Sequence, residues 1–145
     1  MAIWRVPVDI DRINAWQAET INGVLGITVT EVGEDSITGT MPVDRRTHQP
    51  MGILHGGASV VLAESLGSMA ANYCVDPATH YCVGLDINAN HLRSVRAGLV
   101  TGVASPIHIG RTTQVWEIRI SDEAAKPVCI ARLTLAVLAH DRSSP

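Results

Sequence analysis

The chain has 145 residues, which is enough for one domain with a single hydrophobic core. Hydrophobic residues make up 46% and charged residues 17% of the chain, a balance that favours a globular protein over a disordered one. The net charge is −3 and no basic run exceeds Arg45-Arg46, which argues against nucleic acid as the main partner, although an anionic small molecule would need only local cations.

The first predicted element is a short N-terminal helix over residues 9–22. Apolar side chains recur at helical spacing at Ile10, Ile13 and Trp16, and Asn22-Gly23 is a typical helix stop. Because Phe is absent, the hydrophobic core is expected to consist of Val, Ile, Leu, Ala and the three Trp residues.

A hairpin and a long helix are predicted next. Gly26–Val32 and Ser36–Met41 are rich in Thr, Val and Ile, and Gly33-Glu34-Asp35 joins them as a turn. The polar segment after this hairpin is expected to be a loop. Gly56-Gly57 then opens a helix that continues to about Cys74 and is apolar on almost every face, so other elements must surround it.

The second half of the chain contains four segments that predict strands. These segments are Tyr81–His91, Leu99–Ser105, Thr113–Ser121 and Val128–Ala139. Alternation in the first segment places five side chains on one face: Tyr81, Val83, Leu85, Ile87 and Ala89. In the third segment, Trp116, Ile118 and Ile120 are expected on the face opposite Glu117 and Arg119.

This order of elements predicts an α+β fold in which a curved antiparallel sheet wraps around one long central helix. No internal repeat, linker or second domain is visible in the sequence. Residues 1–145 are therefore expected to form a single domain, with a frayed tail at 140–145.

Cysteine, histidine and N-terminal patterns argue against other classes of protein. The three cysteines lack CxxC spacing and are expected to be reduced and mostly buried, as in a cytoplasmic protein. The six histidines are scattered and form no HExxH motif, so no metal is expected. The N-terminus does not resemble a signal peptide, and the longest apolar run, which contains Glu64, is too short for a membrane span.

Glu64 is the only Asp, Glu, Lys or Arg between His55 and Cys74. A carboxylate on a buried helix is costly unless it is paired, hydrogen-bonded or protonated. An ion pair with an arginine, or exposure at a helix edge, would explain it without any function. Ser68 lies four residues on and therefore on the same face, and the small residue Gly67 leaves room beside the acid. These neighbours favour a functional carboxylate.

The segment His55-Gly56-Gly57 lies where the same helix begins. A helix N-terminus carries unpaired N–H donors and partial positive charge, and glycine lets a ligand approach those donors closely. Such donors can hold an oxygen that becomes negative during acyl transfer. A carboxylate together with an oxyanion site suits hydrolysis of an activated carbonyl.

Helix geometry separates these two groups within one chain. Gly56 and Glu64 are eight residues apart, which is roughly 12 Å along a helix at about 1.5 Å per residue. They cannot both contact one carbonyl carbon unless the glycine comes from another subunit. A two-fold dimer with antiparallel helices across its interface would provide two equal sites.

Beyond these local patterns, the sequence resembles the hotdog-fold acyl-CoA thioesterases. HGGASVVLAES, MPVDRRTHQPMGILHGG, VGLDINANHLRSVRAG and PIHIGRTTQVWEI carry the likeness, which extends from about Gly23 to Leu138. Within this family, the sequence is similar to the branch of the Arthrobacter-type 4-hydroxybenzoyl-CoA thioesterase. Within that branch, it resembles the 1,4-dihydroxy-2-naphthoyl-CoA and enterobactin-proofreading thioesterases. The resemblance implies hydrolysis of an acyl-CoA to a free acid and CoA, without a metal or organic cofactor. It also implies shared sites in a homodimer, and a homotetramer formed as a dimer of dimers.

The resemblance assigns roles to five catalytic positions. Glu64 matches the family's acid, which acts as a nucleophile or as a general base toward water. Gly56 matches the backbone N–H that polarises the thioester carbonyl, and Gln49 matches a side chain that orients this carbonyl or the attacking water. His55 matches the residue near the leaving thiolate, and Ser68 matches the hydroxyl that positions water.

Substrate and CoA contacts are expected from three regions. The NHLR segment provides Asn90, His91, Leu92 and Arg93, and the HIGR segment provides His108, Ile109, Gly110 and Arg111. Val83 is expected to line the acyl pocket, although a plain core valine is an equal alternative. Arginines and loop N–H groups suit the phosphates of CoA, but an exposed surface arginine is the simpler interpretation of each position.

Two other functions would fit the same fold. A hotdog hydratase or dehydratase would need a histidine and a carboxylate arranged to remove a proton beside the carbonyl, a pattern that HGGASVVLAES does not match. A non-catalytic acyl-CoA-binding protein could lack the acid, whereas this chain has both Glu64 and Ser68. Aromatic or broad-range acyl groups are expected, and the particular acid is left open.

Overall fold

The computed structural model describes residues 1–141, so the last part of the predicted frayed tail, residues 142–145, lies outside the described residues. Three helices and six strands follow one another in the described chain. The helices are α1 (Ile10–Gln17), α2 (Ile21–Leu25) and α3 (Gly56–Tyr73). The strands are β1 (Thr28–Val32), β2 (Ile37–Pro42), β3 (His80–His91), β4 (Leu99–Ile109), β5 (Thr113–Ser121) and β6 (Pro127–Ala139).

The strands form one antiparallel sheet in the order β1-β2-β4-β5-β6-β3, and α3 packs on it. The predicted α+β architecture, with one long helix against an antiparallel sheet, is confirmed. The predicted hairpin is also confirmed, because β1 pairs with β2 across the turn at residues 33–36. Among residues 1–141, no helix combines the length and the apolar character needed to span a bilayer.

One face of α3 is buried against the sheet. Leu62, Leu66 and Ala70 are fully buried at helical spacing. Gly67 lies on the same face, where an added Cβ would be 2.8 Å from a methyl group of Leu133 in β6. Each fully buried leucine contributes about 2 kcal/mol from apolar burial, so this face anchors the helix and fixes the positions of its other faces.

Of the three tryptophans, only one is fully buried in the core. Trp116 is 0% exposed, and with Ile118 and Ile120 it forms the buried face of β5, as predicted. Trp4 stacks on it at 6.5 Å between ring centroids but is only half-buried. Trp16 is 85% exposed, so its prediction as a core residue was wrong. The three cysteines are buried, as predicted, and none of them forms a disulfide.

The N-terminal segment contains two helices where one was predicted over residues 9–22. Thr20 has extended backbone angles and its side chain accepts a hydrogen bond from the Asn22 N–H, so it caps a second helix. Asn22-Gly23 therefore lies inside α2, and its prediction as a helix stop was wrong. The turn that ends α2 is made by Gly26, whose φ of 73° is in the left-handed region that favours glycine.

A β-bulge in β3 overturns the predicted single apolar face of this strand. Gly84 pairs with Leu135 and Asp86 with Thr134, so Leu85 is an extra residue without a partner. The alternation changes phase at this point. Consequently Ile87 and Ala89 pack against the core, whereas Tyr81 and Val83 before the bulge and Leu85 within it are exposed.

Strand β4 continues four residues beyond its predicted end at Ser105. A second bulge lies between Pro106 and His108, where the partner strand β5 continues to pair. His108 and Ile109 are therefore strand residues, and Gly110 and Arg111 form the turn to β5.

Candidate active site

Glu64 lies on α3 between the sheet edge and the outer surface of the molecule. It is half-buried, and its carboxylate lies against the backbone of β3: a Cβ added at Gly84 would be 2.5 Å from Glu64 Oε1. The three ion pairs found among residues 1–141 do not include Glu64. Among the described residues, Glu64 is therefore not paired with an arginine, and it is half-buried rather than fully exposed.

Glu64 lines an open cleft of about 290 Å³. Val60, Val61 and Ser65 of α3 line it, together with Ile21 of α2. These α3 residues lie one turn from Glu64 or beside it, and all three are half-buried. The cleft thus places one carboxylate and one hydroxyl in a largely apolar wall.

Ser68 lies one helical turn beyond Glu64 and is half-buried. The next turn is fixed to the edge strand by Asn72, whose amide donates to the Cys82 carbonyl at 3.2 Å and accepts from the Cys82 N–H at 2.9 Å. The same amide nitrogen donates to the Ser68 carbonyl at 2.8 Å. Asn72 therefore holds the Glu64 face of α3 in register with β3.

The N-terminus of α3 is capped by a histidine. The Gly57 N–H donates to His55 Nδ1 at 2.7 Å, so the ring proton is on Nε2. His55 thus has the helix-capping role that its position alone suggests, and it retains one N–H donor. Among residues 1–141, no hydrogen bond from the Gly56 N–H is found, which leaves this donor available at the positive end of the helix.

His91 covers the start of α3. A Cβ added at Gly56 would be 2.9 Å from His91 Nε2. The two residues line a second cleft of about 230 Å³, which also includes Leu92 and Arg93. The structure therefore brings together Gly56 and three of the four residues predicted from the NHLR segment.

Glu64 and Gly56 are not brought together in one chain. Each lines a different cleft, and they are eight positions apart on one continuous helix. The spacing of roughly 12 Å expected from helix geometry therefore applies.

Gln49 lies in a tight turn that precedes α3. Its backbone N–H donates to the Ile53 carbonyl at 2.8 Å, and its side-chain oxygen accepts a hydrogen bond from the Met51 N–H. The side chain is half-buried, and its oxygen already accepts a hydrogen bond within the turn. Gln49 lines neither the Glu64 cleft nor the Gly56 cleft.

Other predicted contact residues lie away from both clefts. Val83 is on the opposite face of β3 from Gly84, and Asn90 is on the opposite face from His91. The HIGR segment is at the β4–β5 turn, where the Gly110 N–H donates to the Thr113 carbonyl at 2.8 Å. His108, Ile109 and Arg111 are exposed there.

The loop before α3 contains a self-contained ion pair. Arg46 donates to Asp44 at 2.7 Å, and this guanidinium holds the pKa of the Asp44 carboxyl at about 2. Both side chains are largely exposed. The pair stabilises the loop locally and does not contact either cleft.

The prediction missed several residues of the Glu64 cleft. Val60, Val61 and Ser65 share helical spacing with the acid, so the sequence contained that signal. A glycine inside a strand often marks a close approach, which would have indicated Gly84. Ile21 carried no comparable signal, because its position depends on how α2 packs.

Comparison with known proteins gives one family and many relatives. Residues 51–129 match the sequence profile of the thioesterase superfamily. The 1,4-dihydroxy-2-naphthoyl-CoA hydrolase of Escherichia coli is 48% identical over 136 residues, covering 94% of this chain and 99% of that protein. The proofreading thioesterase EntH of Cronobacter sakazakii is 47% identical, covering 94% of this chain and 98% of that protein.

A solved structure is similar over almost the whole chain. It is a Q49A mutant of thioesterase PA1618 from Pseudomonas aeruginosa, with a TM-score of 0.94 and 57% sequence identity. The match covers 96% of this chain and all of that one.

Proposed function

Since the chain belongs to the thioesterase superfamily and is a thioester hydrolase, we propose that its substrates are acyl-CoA thioesters with aromatic or other apolar acyl groups. Support comes from the apolar lining of the Glu64 cleft. The 1,4-dihydroxy-2-naphthoyl-CoA hydrolase, at 48% identity, is named for an aromatic acyl-CoA.

Glu64 is the proposed catalytic residue. The observation that carries this proposal is a carboxylate without an ion-pair partner among the described residues, placed in an apolar cleft. As a nucleophile it would form an anhydride with the acyl carbon and expel the CoA thiolate, and water would then release the acid. As a general base it would take a proton from water as the water oxygen attacks the same carbon. Ser68, one helical turn away, is the proposed hydroxyl that would orient that water.

The Gly56 N–H of a partner subunit is the proposed oxyanion donor. It is free of hydrogen bonds among residues 1–141 and lies at the positive end of an 18-residue helix. A donor of this kind stabilises the negative oxygen of the tetrahedral state. The proton on His55 Nε2 is available to the departing thiolate, and the Gln49 amide would contact the carbonyl after leaving its local turn.

A homodimer through β3 and α3 would complete the site. Strand β3 is the last of the sheet, and the apolar residues Tyr81, Val83 and Leu85 are exposed on its face away from α3. Exposed apolar edge strands favour pairing with another chain. Two copies paired there would face each other near Glu64, and the proposed homotetramer is a dimer of such dimers.

The CoA moiety is assigned to the cleft at the start of α3. Arg93 lines that cleft and supplies a cation for a phosphate or pyrophosphate. The HIGR turn, with Arg111 exposed, is the second proposed phosphate contact and would act from another subunit. The proposed cytoplasmic location rests on the three unpaired thiols, which suit a reducing compartment.

Thiol release from benzoyl-CoA and from aliphatic acyl-CoAs tests the proposal. Glu64→Gln and Glu64→Ala should lower kcat by several orders of magnitude, because each removes the nucleophile or base. Circular dichroism should show an unchanged fold. Wild-type binding of acyl-CoA without thiol release would favour the non-catalytic alternative, and hydration of an enoyl-CoA would favour the hydratase.

A further inference from the structure

Helix α2 forms one wall of the Glu64 cleft. Ile21, its first residue, lines the cleft opposite Val60 and Val61 of α3. Ile21 is 58% exposed in this chain, although it is a large apolar residue. Part of the lining of the cleft shared with Glu64 is therefore an exposed apolar side chain.

A hydrogen-bonded relay fixes the position of α2 relative to the acid. Ser65, which directly follows Glu64, donates from its hydroxyl to Asn22 Oδ1 at 2.7 Å. The Asn22 amide donates to Gln17 Oε1 at 2.9 Å, and the Gln17 amide donates to Asn14 Oδ1 at 3.0 Å. The relay therefore links α3 to α2 and α2 to α1.

The other end of the relay is anchored in the sheet. Asn14 donates to the Val29 carbonyl and accepts from the Val29 N–H, each at 2.9 Å. The corner between α1 and α2 is also tightly packed, since a Cβ at Gly23 would be 1.8 Å from the Ala18 carbonyl oxygen. Because both ends are held, the relay stabilises the position of Ile21 relative to Glu64.

We propose that Ile21 is a specificity-determining residue that sets the upper size of the acyl group, and that Asn22 is the positioning residue that holds it there. The inference rests on the proposed acyl-CoA hydrolysis at Glu64. The volume is of the right order, because a closed cavity of about 150 Å³ takes up benzene and this open cleft is about 290 Å³. An aryl group of one or two rings, or a branched acyl group, would contact Ile21, Val60 and Val61.

The test compares benzoyl-CoA with 2-naphthoyl-CoA. Ile21→Ala should raise the ratio of kcat/KM for naphthoyl-CoA to that for benzoyl-CoA by about tenfold, and Ile21→Trp should lower it by a similar factor, the range expected for a hydrophobic pocket contact. Asn22→Ala should shift the ratio in the same direction as Ile21→Ala. Val24→Ala is the matched control, because Val24 is on the same helix, is 67% exposed and does not line the cleft.

Binding measurements separate this inference from the proposed function. The dissociation constants of both CoA esters are measured for the same Ile21, Asn22 and Val24 variants in a Glu64→Gln background, which holds uncleaved substrate. Absence of thiol release by the wild type would contradict the proposed function, while the ratio of dissociation constants would still test Ile21. An unchanged ratio for both Ile21 variants, or an equal shift for Val24→Ala, would overturn the inference.

Discussion

The carboxylate of Glu64 in α3 lies directly against Gly84 in β3. No side chain fits between them, since a Cβ at Gly84 would be 2.5 Å from Glu64 Oε1. Gly84 also begins the bulge of β3, where Leu85 is inserted without a pairing partner. The backbone of the edge strand thus lies against one side of the proposed catalytic acid.

We expect Gly84→Ala to lower kcat by roughly 10- to 100-fold, because a displacement of about 1 Å at a reacting group costs on this order. The free energy of unfolding should change little. Alanine adopts the backbone angles of a strand without strain, and the group that it displaces is the flexible end of the Glu64 side chain. Steady-state thiol release and urea unfolding measure the two quantities.

Gly33→Ala is the matched control for this substitution. Gly33 lies in the β1–β2 turn, and an added Cβ there would contact only Ser36. Wild-type kcat is expected for this variant. If Gly84→Ala also retained wild-type kcat, the contact with Glu64 would have no catalytic role.

Removal of the Gly56 N–H should lower kcat by about 10²- to 10³-fold, the usual effect of losing one oxyanion donor. Gly56→Pro achieves this while keeping the helix, because proline is favoured at the first helical position. The preceding His55 already has φ −69° and ψ 130°, angles that suit a residue before proline.

Gly56→Ala separates the donor from steric effects. Alanine retains the N–H, whereas its Cβ would still approach His91. We expect the alanine variant to lose distinctly less activity than the proline variant. Equal losses would mean that crowding at His91, and not the missing donor, explains the effect.

Shared sites predict complementation between two inactive variants. In a mixed dimer of Glu64→Gln and Gly56→Pro subunits, one site combines both defects and the other combines native Glu64 with native Gly56. Mixing equal amounts under conditions of subunit exchange should therefore restore about one quarter of wild-type activity, since half of the dimers are mixed and half of their sites are intact. No recovery, with exchange verified by labelled subunits, would contradict a site formed by two chains.

The predictable part of the fold was that encoded by local patterns. Helix α3 begins at the predicted Gly56 because glycines and a capping histidine mark its start. Strand β5 has the predicted bounds because its alternation is uninterrupted. The phase change in β3 was not predictable in the same way, since the bulge at Leu85 arises from pairing with β6 and has no local composition signal beyond one glycine.

The same distinction applies to the candidate site. Glu64 stood out because it is isolated in an apolar helix, and its roughly 12 Å separation from Gly56 follows from helix geometry alone. The position of Ile21 in the cleft could not be predicted, because the sequence indicated one continuous helix, whereas Thr20 caps a second one. Its place in the cleft depends on a long-range hydrogen bond between Ser65 and Asn22.

The buried thiols should make the protein less stable at alkaline pH. Burial raises the pKa of Cys74 from its ordinary value of 9.0 to about 11, with a smaller contribution from the charge of Cys82. Because the folded-state pKa is raised, this contribution to stability is complete below pH 9 and is lost as the pH rises toward 11. The loss is at most about 3 kcal/mol for a shift of this size.

Urea unfolding of the wild type and of Cys74→Ala at pH 8 and pH 10.5 measures this term. Other groups also titrate in this range, so the informative quantity is the difference between the two proteins. The free energy of unfolding of the wild type should fall by more than that of Cys74→Ala, because the variant has no thiol to ionise at this position. Parallel decreases for both proteins would show that Cys74 contributes nothing to the alkaline instability, and rapid alkylation of Cys74 in the native protein at pH 8 would contradict its raised pKa.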